Sequence, residues 1–146
     1  QVIGNGSNLL VGDRGIRGLV IEMLSKEDEI CVEDDCITVG AGMLLSKTAN
    51  RAADHGLTGM EFAAGIPGSI GGAVVMNAGA YGGEMKDILT AVTVLDQEGN
   101  EKILSAEELE LGYRTSCILK KGYIVTGAKI KLKHGEETAI RARMRS

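Results

Sequence analysis

The sequence predicts an α+β domain, a mostly antiparallel sheet with flanking helices. Three observations predict it. Short β-rich runs sit in neighbouring pairs around polar turns, one or two stretches of helical period lie between them, and no internal repeat, low-complexity tract or linker interrupts the 146 residues.

In chain order, Gln1 to Ile3 is a short apolar run stopped by Gly4, the pattern of a buried strand that delivers the loop Gly4 to Asn8 (GNGSN). Leu9 to Val11 and Gly18 to Met23 read as short strands around the turn Gly12-Asp13-Arg14-Gly15. Glu29 to Glu33 and Cys36 to Val39 form the clearest hairpin, turning at Asp34-Asp35. From Met43 to His55 the period lengthens: Leu44, Leu45, Thr48, Ala49 and Ala52 share one face, and Gly56 supplies the stop. Thr58 to Ala64 reads as a short helical turn, and Ile70 to Met76 as a brief helix with Ser69 as N-cap. Ile88 to Asp96 alternates as a strand and Glu101 to Leu104 pairs back on it. Ser105 to Glu108 has the S-x-x-E spacing of a capping box. Tyr123 to Leu132 is the last strong strand, and Glu136 to Arg145 is helical with a basic end.

Composition narrows the function. Aromatic residues are 3% with no Trp, which argues against stacking platforms for nucleic acid, and a net charge of -4 leaves no field for holding a polyanion in bulk. Any phosphate must be held by local geometry. No apolar run approaches the ~20 residues of a membrane span, so neither nucleic acid nor membrane is an expected partner. The three cysteines, Cys31, Cys36 and Cys117, include no close pair, so no metal site is expected and a reducing, cytoplasmic compartment fits. In the hairpin register Cys31 and Cys36 fall diagonally, about 7 Å apart or more, a separation that resists bridging. The chain opens on Gln1 in what reads as the end of a strand, and is expected to be a fragment of something longer.

Two glycine-rich stretches carry the chemistry. GNGSN supplies backbone N–H groups with no side chain to keep a phosphate away, and Ser and Asn add donors. It is neither the dinucleotide fingerprint, since Leu9 stands where a third glycine belongs, nor a P-loop; by itself it is also the composition of a surface turn. The second stretch, Gly65 to Gly83, has glycines at 65, 68, 71, 72, 79, 82 and 83, each costing about 1 kcal/mol in a helix, with Ile66, Ile70, Val74, Val75 and Met76 threaded through it. A flat ring or pyrophosphate against the backbone would offset that cost. Tyr113-Arg114 follows as the strongest single-residue candidate, because a guanidinium grips a carboxylate with two bonds and steadies charge developing on it; by spacing alone an arginine on a solvated loop is the better reading of Arg114. His55 and His134 stand apart without partners at ligand spacing, and Glu107, Glu108 and Glu110 read as a solvated face.

The segments GNGSNLLV (4–11), GLTGMEFAAGIPGSIGGAVVMNAGAYGGEMKD (56–87) and ELGYRTS (110–116) closely resemble the UDP-N-acetylenolpyruvoylglucosamine reductases, flavoenzymes of peptidoglycan precursor synthesis. The resemblance covers almost the whole chain. It implies a two-lobed FAD-binding domain of the PCMH type, with residues 1–8 ending the first lobe, 9–133 forming the second, and 134–146 leading helically towards a substrate-binding domain. The implied reaction uses NADPH to reduce FAD, which then reduces the enolpyruvyl double bond of a UDP-sugar. Gly4, Asn5, Gly6, Ser7, Asn8 and Leu9 would hold the FAD pyrophosphate. Gly65, Ile66, Pro67, Gly68, Ser69, Gly71 and Gly72 would pack on pyrophosphate and flavin, and Asn77, Gly79, Ala80 and Gly82 would continue the wall. Tyr81 and Tyr113 would face substrate, and Arg114 matches the family's catalytic arginine. The family's serine proton donor and catalytic glutamate match nothing here, neither Ser116 nor any glutamate, so N- and C-terminal parts of a parent enzyme are implied and this segment by itself is expected to be inactive. Two alternatives stay open: a noncatalytic flavin- or nucleotide-binding module, and another flavin oxidoreductase with the same cofactor fold.

Overall fold

The computed structural model describes residues 1–26 and 29–146. Val2–Ile3 (β1) pairs in parallel with Ile21–Glu22 (β2), Val2 opposite Ile21. The expected buried strand is therefore corrected: Val2 is exposed and Ile3 half-buried, because a two-stranded ribbon offers no second layer to cover it. Leu9 to Val11 form no strand and are all exposed, and the expected strand at 18–23 shrinks to β2. The turn between them closes as expected, Gly15 N donating to Gly12 O at 2.9 Å.

Ile30–Glu33 (β3) and Cys36–Gly40 (β4) make the expected hairpin, Glu33 opposite Cys36, with Asp34 at φ 54 in the turn. Cys31 lies opposite Thr38, and all three cysteines are free. The chain continues through α1 (Leu45–Asp54), β5 (Leu57–Thr58), a 3₁₀ turn at Glu61–Ala63, α2 (Ile70–Met76), and the small hairpin β6 (Gly79–Ala80) and β7 (Gly83–Glu84). Then come β8 (Leu89–Leu95), β9 (Glu101–Ser105), α3 (Ile118–Lys121), β10 (Ile124–Lys131), β11 (Lys133–His134) and α4 (Glu137–Arg145). Five strands form one antiparallel sheet in the order β3-β4-β10-β8-β9. The mostly antiparallel α+β architecture expected from the hairpins is the one observed.

β10 is the middle strand, and its register against β8 shifts between Val125 and Gly127. That bulge lets Val125, Ala128 and Ile130 all face the core although they break strict alternation. It also turns the Thr126 carbonyl to Ala41 N at 3.0 Å. The loop after β4 thereby becomes a seat for α2: Ile70 N donates to Met43 O and Gly71 N to Ala41 O, each at 2.8 Å. A Cβ on Gly71 would stand 3.0 Å from Ala41 Cβ and 3.2 Å from its carbonyl oxygen, so any side chain there would have to push Ala41 back by a few tenths of an ångström. Ser69 caps α2 as expected, its Oγ accepting from Gly72 N. α2 lies across β10 and β4 and buries Ile70, Ala73 and Val74.

α1 buries Leu45, Thr48, Ala49, Ala52 and Ala53, close to the face read from the sequence, and Gly56 (φ 63) follows its end. α4 packs against it and buries Ile140, 1% exposed, a burial that stabilises by about 1.5–3 kcal/mol. Arg141 pairs with Asp54 and Glu137, and Arg143 with Glu61, but these pairs are partly exposed and contribute less than the buried isoleucine. The expected box at Ser105 is half-made: Glu108 N donates to Ser105 Oγ at 3.3 Å, while that hydroxyl, not the backbone, meets the Glu108 carboxylate. Residues 106–110 remain a turn, with Glu110 at φ 51, rather than a helix.

Candidate functional site

The two glycine-rich stretches meet. Gly4 sits against the Ser69 hydroxyl so closely that a Cβ there would collide with it, and a Cβ on Gly68 would stand 3.6 Å from Ser7 Oγ. Asn8 Nδ2 reaches Met76 Sδ at 3.7 Å, in the last turn of α2. Together they wall a groove of about 590 Å³, a size within the range of cofactor sites. No hydrogen bond within the described residues engages the amides of Asn5, Gly6 and Ser7, which leaves a row of donors at the groove edge.

Among the residues expected from sequence, Gly4, Asn5, Gly6, Ser7, Asn8, Leu9, Ile66, Pro67, Gly68, Ser69, Gly71, Gly72, Gly79 and Arg114 line this groove. Gly65, Asn77, Ala80, Tyr81, Gly82 and Tyr113 do not. Tyr81 and Gly82 form the positive-φ tip of the β6–β7 turn, with Tyr81 92% exposed. Tyr113 is 90% exposed, and Arg114 stacks over its ring at 5.9 Å. Sequence reasoning missed the apolar side of the groove: Met23, Ala41, Leu45, Ile118, Leu119, Tyr123, Ile124 and Val125. These come from separate segments, and nothing local in the sequence announces them.

The glycines of the second stretch do not all face the groove. Gly71 presses on Ala41, and a Cβ on Gly83 would stand 2.7 Å from the Phe62 ring, so part of the glycine content serves the protein's own packing rather than a ligand.

Behind Arg114 lies a set of bonds that the sequence did not disclose. Gly112 and Thr115 close a two-residue turn, each amide donating to the other's carbonyl at 3.1 and 3.3 Å, with Tyr113 and Arg114 at its tip. Asn77, 3% exposed and left-handed at φ 47, donates through Nδ2 to Gly112 O at 2.9 Å and to Glu84 Oε2 at 3.1 Å, and accepts from Lys86 N at 2.8 Å. Ser116 Oγ donates to Val75 O at 2.7 Å. The signal for Asn77 was present, since asparagine is a common left-handed helix cap; Ser116 gave none.

No group of three His, Cys, Asp or Glu among the described residues is placed to hold a metal, and no helix among them is long and apolar enough to cross a membrane.

An antiparallel α+β body carrying a glycine-walled, apolar-sided groove with free amides is the frame of a nucleotide-cofactor domain. Residues 1–105 match the family described as FAD binding domain, and the chain belongs to that family. Its curated relatives are more particular. It is 56% identical over 144 residues to UDP-N-acetylenolpyruvoylglucosamine reductase of Clostridium tetani, covering 99% of this chain and 47% of that protein. To the protein of the same name from Clostridioides difficile it is 48% identical over 143 residues, covering 98% of this chain and 47% of that one. The crystal structure of UDP-N-acetylenolpyruvylglucosamine reductase (MurB) from Thermus caldophilus superposes with a TM-score of 0.86 at 43% identity, over 99% of this chain and 53% of that one. The chain thus spans about half the length of the curated relatives it matches.

Proposed function

We propose that this chain is the FAD-binding part of an NADPH-dependent reductase that converts UDP-N-acetylglucosamine enolpyruvate to UDP-N-acetylmuramate in the cytoplasm, as a step of peptidoglycan precursor synthesis. The observation that carries this reading is the junction of Gly4–Leu9 with Ile66–Gly72 on one groove that Arg114 also lines.

The residues present fit FAD. The unengaged amides of Asn5, Gly6 and Ser7 suit a pyrophosphate, and Gly4 and Gly68 keep Cβ atoms out of the wall. Ile118, Leu119 and Ile124 offer an apolar side to a flat ring, Leu119 being 77% exposed in the chain alone. A bound FAD would supply the redox chemistry between NADPH and the enolpyruvyl double bond, and these residues would hold it. Arg114, which has no carboxylate partner among the described residues, would grip the substrate carboxylate and steady its charge as the double bond is reduced. Tyr113, adjacent and exposed, and Tyr81 at its hairpin tip would face the UDP-sugar. Residues in the further length of the relatives would supply the proton.

The lobes are proposed as residues 1–8 and 9–133, with 134–146 leading out of the second; the pairing of β2 with β1, and not with the five-stranded sheet, supports carrying the first lobe on to about Glu22.

The test is NADPH oxidation by the full-length polypeptide that carries this sequence, purified with FAD. Oxidation that depends on UDP-N-acetylglucosamine enolpyruvate is expected. A flavin-loaded protein that shows none would overturn the reading and leave a noncatalytic flavin-binding module.

A further inference from the structure

We infer that Asn77 is a positioning residue for Arg114, with Ser116 as its second anchor, so that one short helix fixes the cofactor wall and the arginine in a single geometry. This rests on the functional reading of Arg114 given above.

The Arg114 side chain is exposed and, among the described residues, makes no hydrogen bond or ion pair beside its stacking on the Tyr113 ring, so its own polar contacts do not hold it in place. Its location is set by the backbone of the turn Gly112–Thr115, where Arg114 adopts φ 53, a conformation that costs a non-glycine residue and persists only when the surroundings impose it. The reciprocal Gly112–Thr115 bonds hold that conformation, and two further bonds place the turn, one on each side of it. Asn77 Nδ2 holds the Gly112 carbonyl, and Ser116 Oγ holds Val75 O. Both partners belong to the C-terminal end of α2, whose first turn, Ser69 to Gly72, walls the groove. Displacement of Gly112 would therefore move Arg114 relative to the wall.

A plainer role for Asn77 is to cap α2 and close the segment after it, which needs only its left-handed backbone and the bond from Lys86 N to Oδ1. The donation to Gly112, 35 residues away, is not needed for that. Asn77→Asp tolerates the same backbone and keeps Oδ1 but removes the donor to Gly112 O; because the same Nδ2 also donates to Glu84 Oε2, the substitution is made and compared in a Glu84→Gln background, which removes the repulsion between two carboxylates.

The experiment uses the full-length, FAD-loaded enzyme. Asn77→Asp is expected to lower kcat by about 10²-fold, the cost of misplacing a reacting group by about 1 Å, with flavin occupancy unchanged. In an Arg114→Ala background the same substitution is expected to add no more than about twofold, because groups acting as a unit are non-additive. Amide exchange is expected to quicken across residues 110–117 and not across 45–54. Ser116→Ala should reproduce a smaller part of the loss and Ser116→Thr, which keeps a hydroxyl, should restore it; these variants decide the matter should Asn77→Asp fail to fold. Equal losses with and without Arg114, or unaltered exchange at 110–117, would overturn the inference. If Arg114→Ala itself leaves turnover intact, the functional reading is what fails, and the exchange result still decides whether Asn77 anchors the turn.

Discussion

Replacing Gly4 by alanine tests whether the two glycine-rich stretches form one wall. The new Cβ would collide with Ser69 Oγ and stand 3.2 Å from Ser69 Cβ. Ser69 is 2% exposed, so its hydroxyl has little room to leave, and leaving forfeits its bond to Gly72 N, which at 3.4 Å contributes about 0.5–1 kcal/mol. Overpacking adds about 1–3 kcal/mol. Residues 5–22 are exposed throughout, so the first loop yields more easily than α2 does. The cost, centred on about 2 kcal/mol, falls on cofactor affinity more than on global stability, and FAD should bind roughly 30-fold more weakly. Ser69→Ala removes the colliding atom. In that background Gly4→Ala should cost less than about 0.5 kcal/mol more, leaving a coupling of about 1.5 kcal/mol. FAD titration of the four apo-proteins measures the cycle. Equal losses from Gly4→Ala in both backgrounds would show that the loops do not meet as described.

Three further outcomes follow from the geometry. Arg114→Ala in the full-length enzyme should lower turnover by about 10²–10³-fold while leaving the flavin spectrum intact, and unchanged turnover would remove Arg114 from the chemistry. Burial would raise the Glu61 carboxyl, but hydrogen bonds from Thr58, Arg143 and Gly59 outweigh it and hold the group below the ordinary glutamate value of 4.5. Its stabilisation is complete above that value and is lost as pH falls through the lower, folded one, so thermal stability should drop on acidification below about pH 4.5. Glu61→Gln should flatten that dependence and cost about 1–2 kcal/mol at neutral pH, read from melting curves. Thiol alkylation of the native protein should proceed fastest at exposed Cys31 and more slowly at Cys36, whose bond to Asp35 pushes its thiol up; Cys117, 1% exposed, should react only on unfolding.

Much of this was legible in the sequence because it rests on local rules. The hairpin at Asp34-Asp35, the face of α1 and the Ser69 cap all follow from periodicity and turn chemistry within about ten residues. Of the strands expected at 1–3, 9–11 and 18–23, the first forms as the exposed Val2–Ile3, the third shrinks to Ile21–Glu22 and the second is absent, because no layer of the described residues covers Val2, Leu10 or Leu19. The glycine stretches announced close approach but not its object: Gly71 and Gly83 meet protein, whereas Gly6 and Gly65 face open space. The apolar side of the groove and the bond from Asn77 to Gly112 join segments tens of residues apart, so no periodicity encodes them.

The most direct test of the central claim is amide exchange of the full-length protein with and without FAD. Protection is expected to concentrate at residues 4–9 and 65–72, with the exposed tip at Tyr81-Gly82 unaffected. Protection that spares residues 4–9, or that gathers instead on the face around Asp87, Lys131 and His134, would contradict it.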